Sequence, residues 1–155
     1  MDPQQFLAAL VGKWKGECST WFEPGVLADV SEVEGEISPL LGSRMLKHEY
    51  RGAIQGKPRT GIEWIVYNTV AHKFEIAWFD SFHMNYAIMH STGTSAENGF
   101  SVSGEYDVDN GHPRWGWRTV FRLDDAEHLV LQAFNVTPDG TEALAVETRY
   151  QRVEG

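Results

Sequence analysis

The sequence predicts an all-β chain: a single up-and-down antiparallel barrel of about ten strands behind a short N-terminal helix. Three observations carry this. From Lys13 onward, polar and apolar residues alternate with period two. The alternating segments are separated by short turn-forming stretches, and short connections join antiparallel neighbours. No segment after residue 12 has the length and period of a crossover helix. An antiparallel meander this long must hide its edges, and closure into a barrel does so. A two-sheet sandwich is the alternative. One domain over 1–155 is expected, with the helix at about 3–11 and the barrel at about 13–152.

The helix start is read from Asp2-Pro3-Gln4-Gln5. Asp2 can cap, Pro3 suits the first helical position, and Gln5 stands where a capping-box partner belongs. Phe6, Leu7, Leu10 and Val11 then share one face, and Gly12 ends the helix. Residues 13–21 alternate with Trp14, Gly16, Cys18 and Thr20 on one side, before the turn Glu23-Pro24-Gly25. Residues 26–37 follow and are expected to stop at Pro39 to Gly42. Residues 43–52 place Leu46, His48 and Tyr50 together, before the turn at Gln55 to Pro58. Residues 60–68 group Ile62, Trp64 and Val66. Residues 72–80 group Phe74, Ile76, Trp78 and Asp80. A strand over 84–92 would align Met84, Tyr86, Ile88 and His90. Asn98-Gly99 and Asn110-Gly111 are hairpin signals, because Asn-Gly readily takes positive φ. They flank a strand at about 100–107. Residues 113–123 carry Trp115, Trp117, Thr119, Phe121 and Leu123 on one face. Residues 127–135 and 142–152 complete the set.

Composition narrows the function. Hydrophobic residues make up 42% and charged residues 23%, a globular balance with enough apolar side chains for a core. The net charge of −9 repels phosphate backbones and anionic lipid, so neither nucleic acid nor membrane is an expected partner. The single cysteine, Cys18, fits a reducing compartment, and a cytoplasmic location is expected. Met1 to Leu10 lacks the basic start and apolar run of a signal peptide.

Gly12-Lys13-Trp14 is a G-x-W motif at the start of the first strand. In this the chain resembles the calycin group of lipocalins, fatty-acid-binding proteins and nitrobindin-type barrels. In that group the Trp plugs the closed end and an Arg from a late strand packs over it; the resemblance offers Arg152 or Arg149 for that role. More specifically, the chain is similar to a bacterial family of lipocalin-like barrels catalogued as a domain of unknown function. The matching pieces are Leu10 to Gly16, Leu41-Gly42-Ser43-Arg44, Glu49 to Gly52, Lys73-Phe74, Trp78 to Ser81, Gly93-Thr94, Arg118-Thr119-Val120 and Tyr150-Gln151-Arg152. The resemblance implies the barrel and no activity.

A small, partly apolar ligand bound inside the barrel is the leading functional expectation. Trp64, Trp78, Trp115 and Trp117 are more large aromatics than a solid core needs, and a barrel of ten strands is wider than side chains easily fill. The candidate wall residues are His48, Tyr50, Trp78, Asp80, His90 and Arg118. Asp80 reads either as a polar anchor at the cavity mouth or as a turn cap. Arg118 reads as a solvent-facing charge, or as a buried cation paired with Glu147 or Glu63. Glu32, Glu34 and Glu36 alternate as a solvated face.

Two other readings remain. One is a haem-dependent enzyme or gas sensor of nitrobindin type. That group holds haem through a His near the C-terminus, but residues 141–155 contain none, leaving His48 or His90. No cofactor or metal is therefore expected; the six histidines show no metal-ligand spacing. The other is a structural or interaction module with a filled barrel, for which a homodimer is a possible partner arrangement. No catalytic residue is assigned, since G-x-S-x-G and P-loop motifs are absent.

Overall fold

The computed structural model describes residues 1–154. A helix α1 (Pro3–Leu10) precedes ten strands: β1 (Gly12–Glu23), β2 (Val26–Leu40), β3 (Met45–Ile54), β4 (Lys57–Asn68), β5 (Lys73–Asp80), β6 (Met89–Ala96), β7 (Gly99–Tyr106), β8 (Trp115–Asp125), β9 (His128–Val136) and β10 (Glu142–Arg152). Each strand pairs antiparallel with the next, and β10 closes on β1. The ring leaves no sheet edge unpaired. The sandwich is thereby excluded.

Local chemistry accounts for the elements. Asp2 accepts hydrogen bonds from the Gln4 and Gln5 amides at 2.9 and 3.0 Å, and the Gln5 side chain accepts from the Asp2 amide in return. Gly12, at φ +147°, makes the abrupt passage from helix to strand. Asn98 takes φ 58° in the tight β6–β7 turn. β2 runs on through Pro39, beyond the expected stop. β1 begins at Gly12 opposite Ile37, so Pro39 has no neighbour on that side and its missing N–H breaks no ladder bond.

Two further boundaries differ from expectation. The strand expected over 84–92 begins only at Met89, and residues 81–88 form an irregular segment. Asn110-Gly111 joins β7 to β8 within a longer loop, 107–114, rather than a two-residue hairpin.

The helix plugs one end of the barrel. Phe6, Leu7 and Leu10 are buried, and Phe6 meets Phe100 edge-on at 5.8 Å. Beneath them Phe74, Phe100 and Phe121 stack at 4.4 and 4.9 Å. The Trp14 indole donates to Leu10 O at 2.9 Å, and the Arg152 guanidinium lies over its ring at 4.3 Å. Arg152 also donates to the Val11 and Ala9 carbonyls, satisfying the end of the helix. Of the two arginines offered for this place, Arg152 occupies it.

At the opposite end stand the 81–88 and 107–114 segments, tied by the Tyr86 hydroxyl donating to Asp107 O at 2.9 Å. The plugged end is thus closed by a packed core. The other end is closed by chain without regular structure. No helix among the described residues is long and apolar enough to cross a membrane.

Candidate functional site

The barrel interior is not uniformly apolar. On β4 the polarity is inverted: Arg59, Gly61 and Glu63 face inward, while Ile62 and Trp64 face outward. Trp64, expected among pocket-lining aromatics, is 39% exposed and meets Phe79 on the outer wall. Register fixes this assignment. Glu63 stands opposite His48 on one side and Trp78 on the other, and all three are buried.

Two hydrogen-bonded groups result. In the first, Nδ1 of His48 lies 2.7 Å from Glu63 Oε1, and Nε2 lies 2.9 Å from the Tyr150 hydroxyl. Burial raises the Tyr150 pKa, so the phenol keeps its proton and is able to donate to an unprotonated Nε2. Nδ1 then donates to the carboxylate. The second group centres on Asp80. Its Oδ2 accepts from Arg59 Nε at 2.9 Å and from the Tyr50 hydroxyl at 2.5 Å. The Tyr50 oxygen in turn accepts from the Trp78 indole at 2.9 Å. Arg59 also reaches Cys18 Sγ at 3.4 Å. The His48 and Tyr50 rings lie 5.1 Å apart, so the groups are contiguous.

The electrostatics follow from burial and pairing. Burial alone would raise the Asp80 pKa, but the Arg59 guanidinium and the hydrogen bonds from Tyr50 and Arg59 hold it below its ordinary value. Burial raises the Tyr50 pKa well above that of a free phenol; Arg59 opposes the shift and Asp80 and Glu63 add to it. Both tyrosines are therefore fixed hydrogen-bond donors, not nucleophiles, at neutral pH.

Asp80 caps the turn that follows it, one of the two roles considered from the sequence, and also joins the buried cluster. Oδ2 anchors the buried cluster, while Oδ1 accepts from the Phe82 and His83 amides, each at 2.6 Å. It thereby fastens the start of the 81–88 segment to the interior. That segment covers the mouth. His83 lies 6.2 Å from Trp78 and 5.6 Å from Trp117, two indoles that stack on each other at 5.4 Å. Phe82 stacks on Phe22 of β1 at 6.0 Å, and Met84 is buried.

Beside the polar cluster lies a cavity of about 50 Å³, walled by His48, Tyr50, Glu63, Trp78 and Trp117, with Leu131 across from them. A groove of about 1360 Å³ runs along the outer wall, floored by Ile62, Trp64 and Phe79. Its polar rim is solvated surface, where ion pairs contribute little, whereas the interior holds charges that needed partners to be buried at all. The interior is the candidate site.

Four of the six expected wall residues, His48, Tyr50, Trp78 and Asp80, come together there. His90 and Arg118 do not. His90 lies on the outer face of β6, 2.9 Å from Glu75, because its strand starts five residues later than expected and Met89 takes the inward position. Arg118 points outward from β8, forms a two-pronged pair with Glu142 at 2.7 and 3.2 Å, and lies over Phe134. Neither Glu147 nor Glu63 partners it.

Arg59, Tyr150 and His83 were not singled out, and Trp117 was named only among the surplus aromatics. A usable signal was Gly61 between Arg59 and Glu63, since a glycine inside a strand marks the close approach of another group. A Cβ there would overlap the Tyr50 hydroxyl, and one on Gly35 would overlap that of Tyr150. Gly61→Ala is expected to push the Tyr50 ring off Asp80 and to destabilise the fold by about 1–3 kcal/mol. Urea unfolding reads this, and an unchanged midpoint would show that the ring is loosely held.

A closed antiparallel barrel, helix-plugged at one end and holding a buried polar cluster beneath the other, is a calycin-like barrel. The chain belongs to the family described as "Protein of unknown function (DUF1579)", which matches residues 1–152. No curated protein matches it. Among solved structures it is similar to the S-type phycobiliprotein lyase CPES from Guillardia theta. The TM-score is 0.66 at 14% identity, covering 100% of this chain and 94% of that one. A DUF3598-family protein with unknown function from Nostoc punctiforme aligns at 7% identity over 99% of this chain and 100% of its own. Its TM-score of 0.28 carries no argument.

Proposed function

We infer that the protein binds a small ligand inside the barrel, with its polar end at the His48, Tyr50 and Glu63 group and its apolar part against Trp78 and Trp117. One observation carries this. A contiguous set of buried charges and phenols lies directly beneath irregular chain, at the end of the barrel that the helix does not plug. A buried ion pair such as Arg59–Asp80 gains little over apolar packing of the same volume. A barrel whose only task is to stay folded has no use for it. The shared fold with the phycobiliprotein lyase fits this reading but does not carry it.

The cavity is small: about 50 Å³ is room for one or two waters. We take the 81–88 segment, whose His83 lies against the Trp78 and Trp117 rings of the cavity wall, as the part that a larger ligand displaces. This segment is held by a few hydrogen bonds and a ring stack, which places it among the parts of a fold that open locally.

Haem has no place in this reading. Both ring nitrogens of His48 are engaged, and His90 stands outside the barrel.

The test is native mass spectrometry of protein purified from its host, followed by thermal unfolding with whatever co-purifies. A specific ligand at about 100 times its Kd should stabilise the fold by about 2.7 kcal/mol. It should also protect the amides of residues 81–88 differently from the free protein. Absence of any bound mass, together with no stabilising compound in a broad small-molecule screen, would leave the filled barrel as the better account.

A further inference from the structure

We propose that the group accepted beside Glu63 is a cationic amine. This deepens the ligand-binding reading above and rests on it. The wall of the interior cavity determines the chemistry. Asp80, the other buried carboxylate, has both oxygens saturated: Oδ2 by Arg59 and Tyr50, Oδ1 by two backbone amides. The Tyr50 hydroxyl donates once and accepts from Trp78 and Arg59. Arg59 is turned toward Asp80 and Cys18 and is not part of the cavity wall.

Glu63 differs from all of these. Oε1 accepts from His48, and Oε2 accepts no hydrogen bond among the described residues while its side chain faces the cavity. The Arg59 and Asp80 charges pair with each other, which leaves Glu63 with His48 as its hydrogen-bond partner among the described residues. An anion beside it would be repelled at short range in a low dielectric, and a neutral acceptor would leave Oε2 unfilled. A neutral donor can fill Oε2, but only a cationic N–H adds charge attraction to the carboxylate.

The remaining wall is compatible with the same ligand. Trp78, Trp117 and Tyr50 line the cavity, the two indoles stacked on each other at 5.4 Å, and of the aromatic side chains the indole attracts cations most strongly. A volume of about 50 Å³ admits an ammonium or methylammonium group with the mouth closed. A larger primary amine would place only its head there and lead its chain out past His83.

Methylammonium chloride, methanol and sodium acetate, titrated at matched ionic strength and followed by the tryptophan indole N–H resonances, test this. Methylammonium should give saturable shifts of Trp78 and Trp117, methanol should bind at least about tenfold more weakly, and acetate should not compete. Glu63→Gln, which keeps the side-chain shape, should lower methylammonium affinity by about tenfold or more. Should that variant fail to fold, Trp117→Phe decides the matter, with an expected loss of about threefold.

Saturation by methanol or acetate as tight as by methylammonium would overturn the amine and leave the interior site standing. So would methylammonium binding that neither replacement weakens. If none of the three probes perturbs Trp78 or Trp117, the amine proposal falls. The wider binding reading is then decided by the native ligand search.

Discussion

Replacing Asp80 with alanine is expected to destabilise the protein by about 3–5 kcal/mol, because it leaves the Arg59 guanidinium buried without a counter-charge. Arg59 and Asp80 have side chains only 9% and 0% exposed, so water cannot take the place of the carboxylate without rearrangement. The loss reaches further than the pair. Tyr50 loses its acceptor, and the amides of Phe82 and His83 lose theirs. The same substitution should therefore loosen the mouth, seen as faster amide exchange at 82 and 83 and as altered fluorescence from Trp78 and Trp117. Urea unfolding measures the first effect and hydrogen exchange the second. Replacing both partners by apolar residues, Arg59→Met with Asp80→Leu, should recover most of the global stability and none of the mouth's protection. A single-variant loss under about 1 kcal/mol would mean that the pair is solvated in solution and that the interior is open.

These residues also show where the sequence was legible and where it was not. The strand count, the helix, its capping and the tight Asn98-Gly99 turn could be read because each rests on local chemistry: a period, a cap, a positive φ. The inward set on β3 and the start of β5 could be read for the same reason, since Leu46 and Tyr50 alternate with Lys47, Glu49 and Arg51, and Phe74 lies between Lys73 and Glu75. On β4 that logic inverts. Ile62 and Trp64 look like the core face and lie outside, while Arg59 and Glu63 look like surface and lie inside. Alternation says that two faces differ, not which one is buried, and a strand that contributes polar groups to the interior defeats the usual assignment. The 81–88 segment failed for another reason. Met84, Tyr86, Ile88 and His90 have the spacing of a strand, but the Asp80 side chain offers the Phe82 and His83 amides a local partner in place of a ladder. Tyr150 joins His48 from 102 residues away, a pairing set by barrel closure alone.

His83 should make the mouth acid-sensitive. Burial against Trp78 and Trp117 lowers its pKa from 6.5 to about 4, with a further lowering from Arg59 that Asp80 partly opposes. Its Nδ1 has no hydrogen-bond partner among the described residues. The closed state thus holds the ring without its proton, while the ring released to water binds one below about pH 6.5. Stability must then fall as pH drops from about 6.5 to about 4, because the released state takes up more protons in that window; above it the ring is unprotonated in both states, and below it protonated in both. The full span corresponds to roughly 3 kcal/mol. Asp80 cannot mimic this, since its depressed pKa moves its own contribution below about 3.8. Opening residues 81–88 relieves His83 at far less cost than unfolding ten paired strands. Exchange of the 81–88 amides should therefore rise sharply between pH 7 and pH 5 while the strand amides hold, and the rise should vanish in His83→Gln. Exchange that follows only its intrinsic pH dependence, or an unchanged response in that variant, would show that His83 is already solvated and that the indole stack needs no cover. The ligand path proposed here would then have to be sought elsewhere on the barrel.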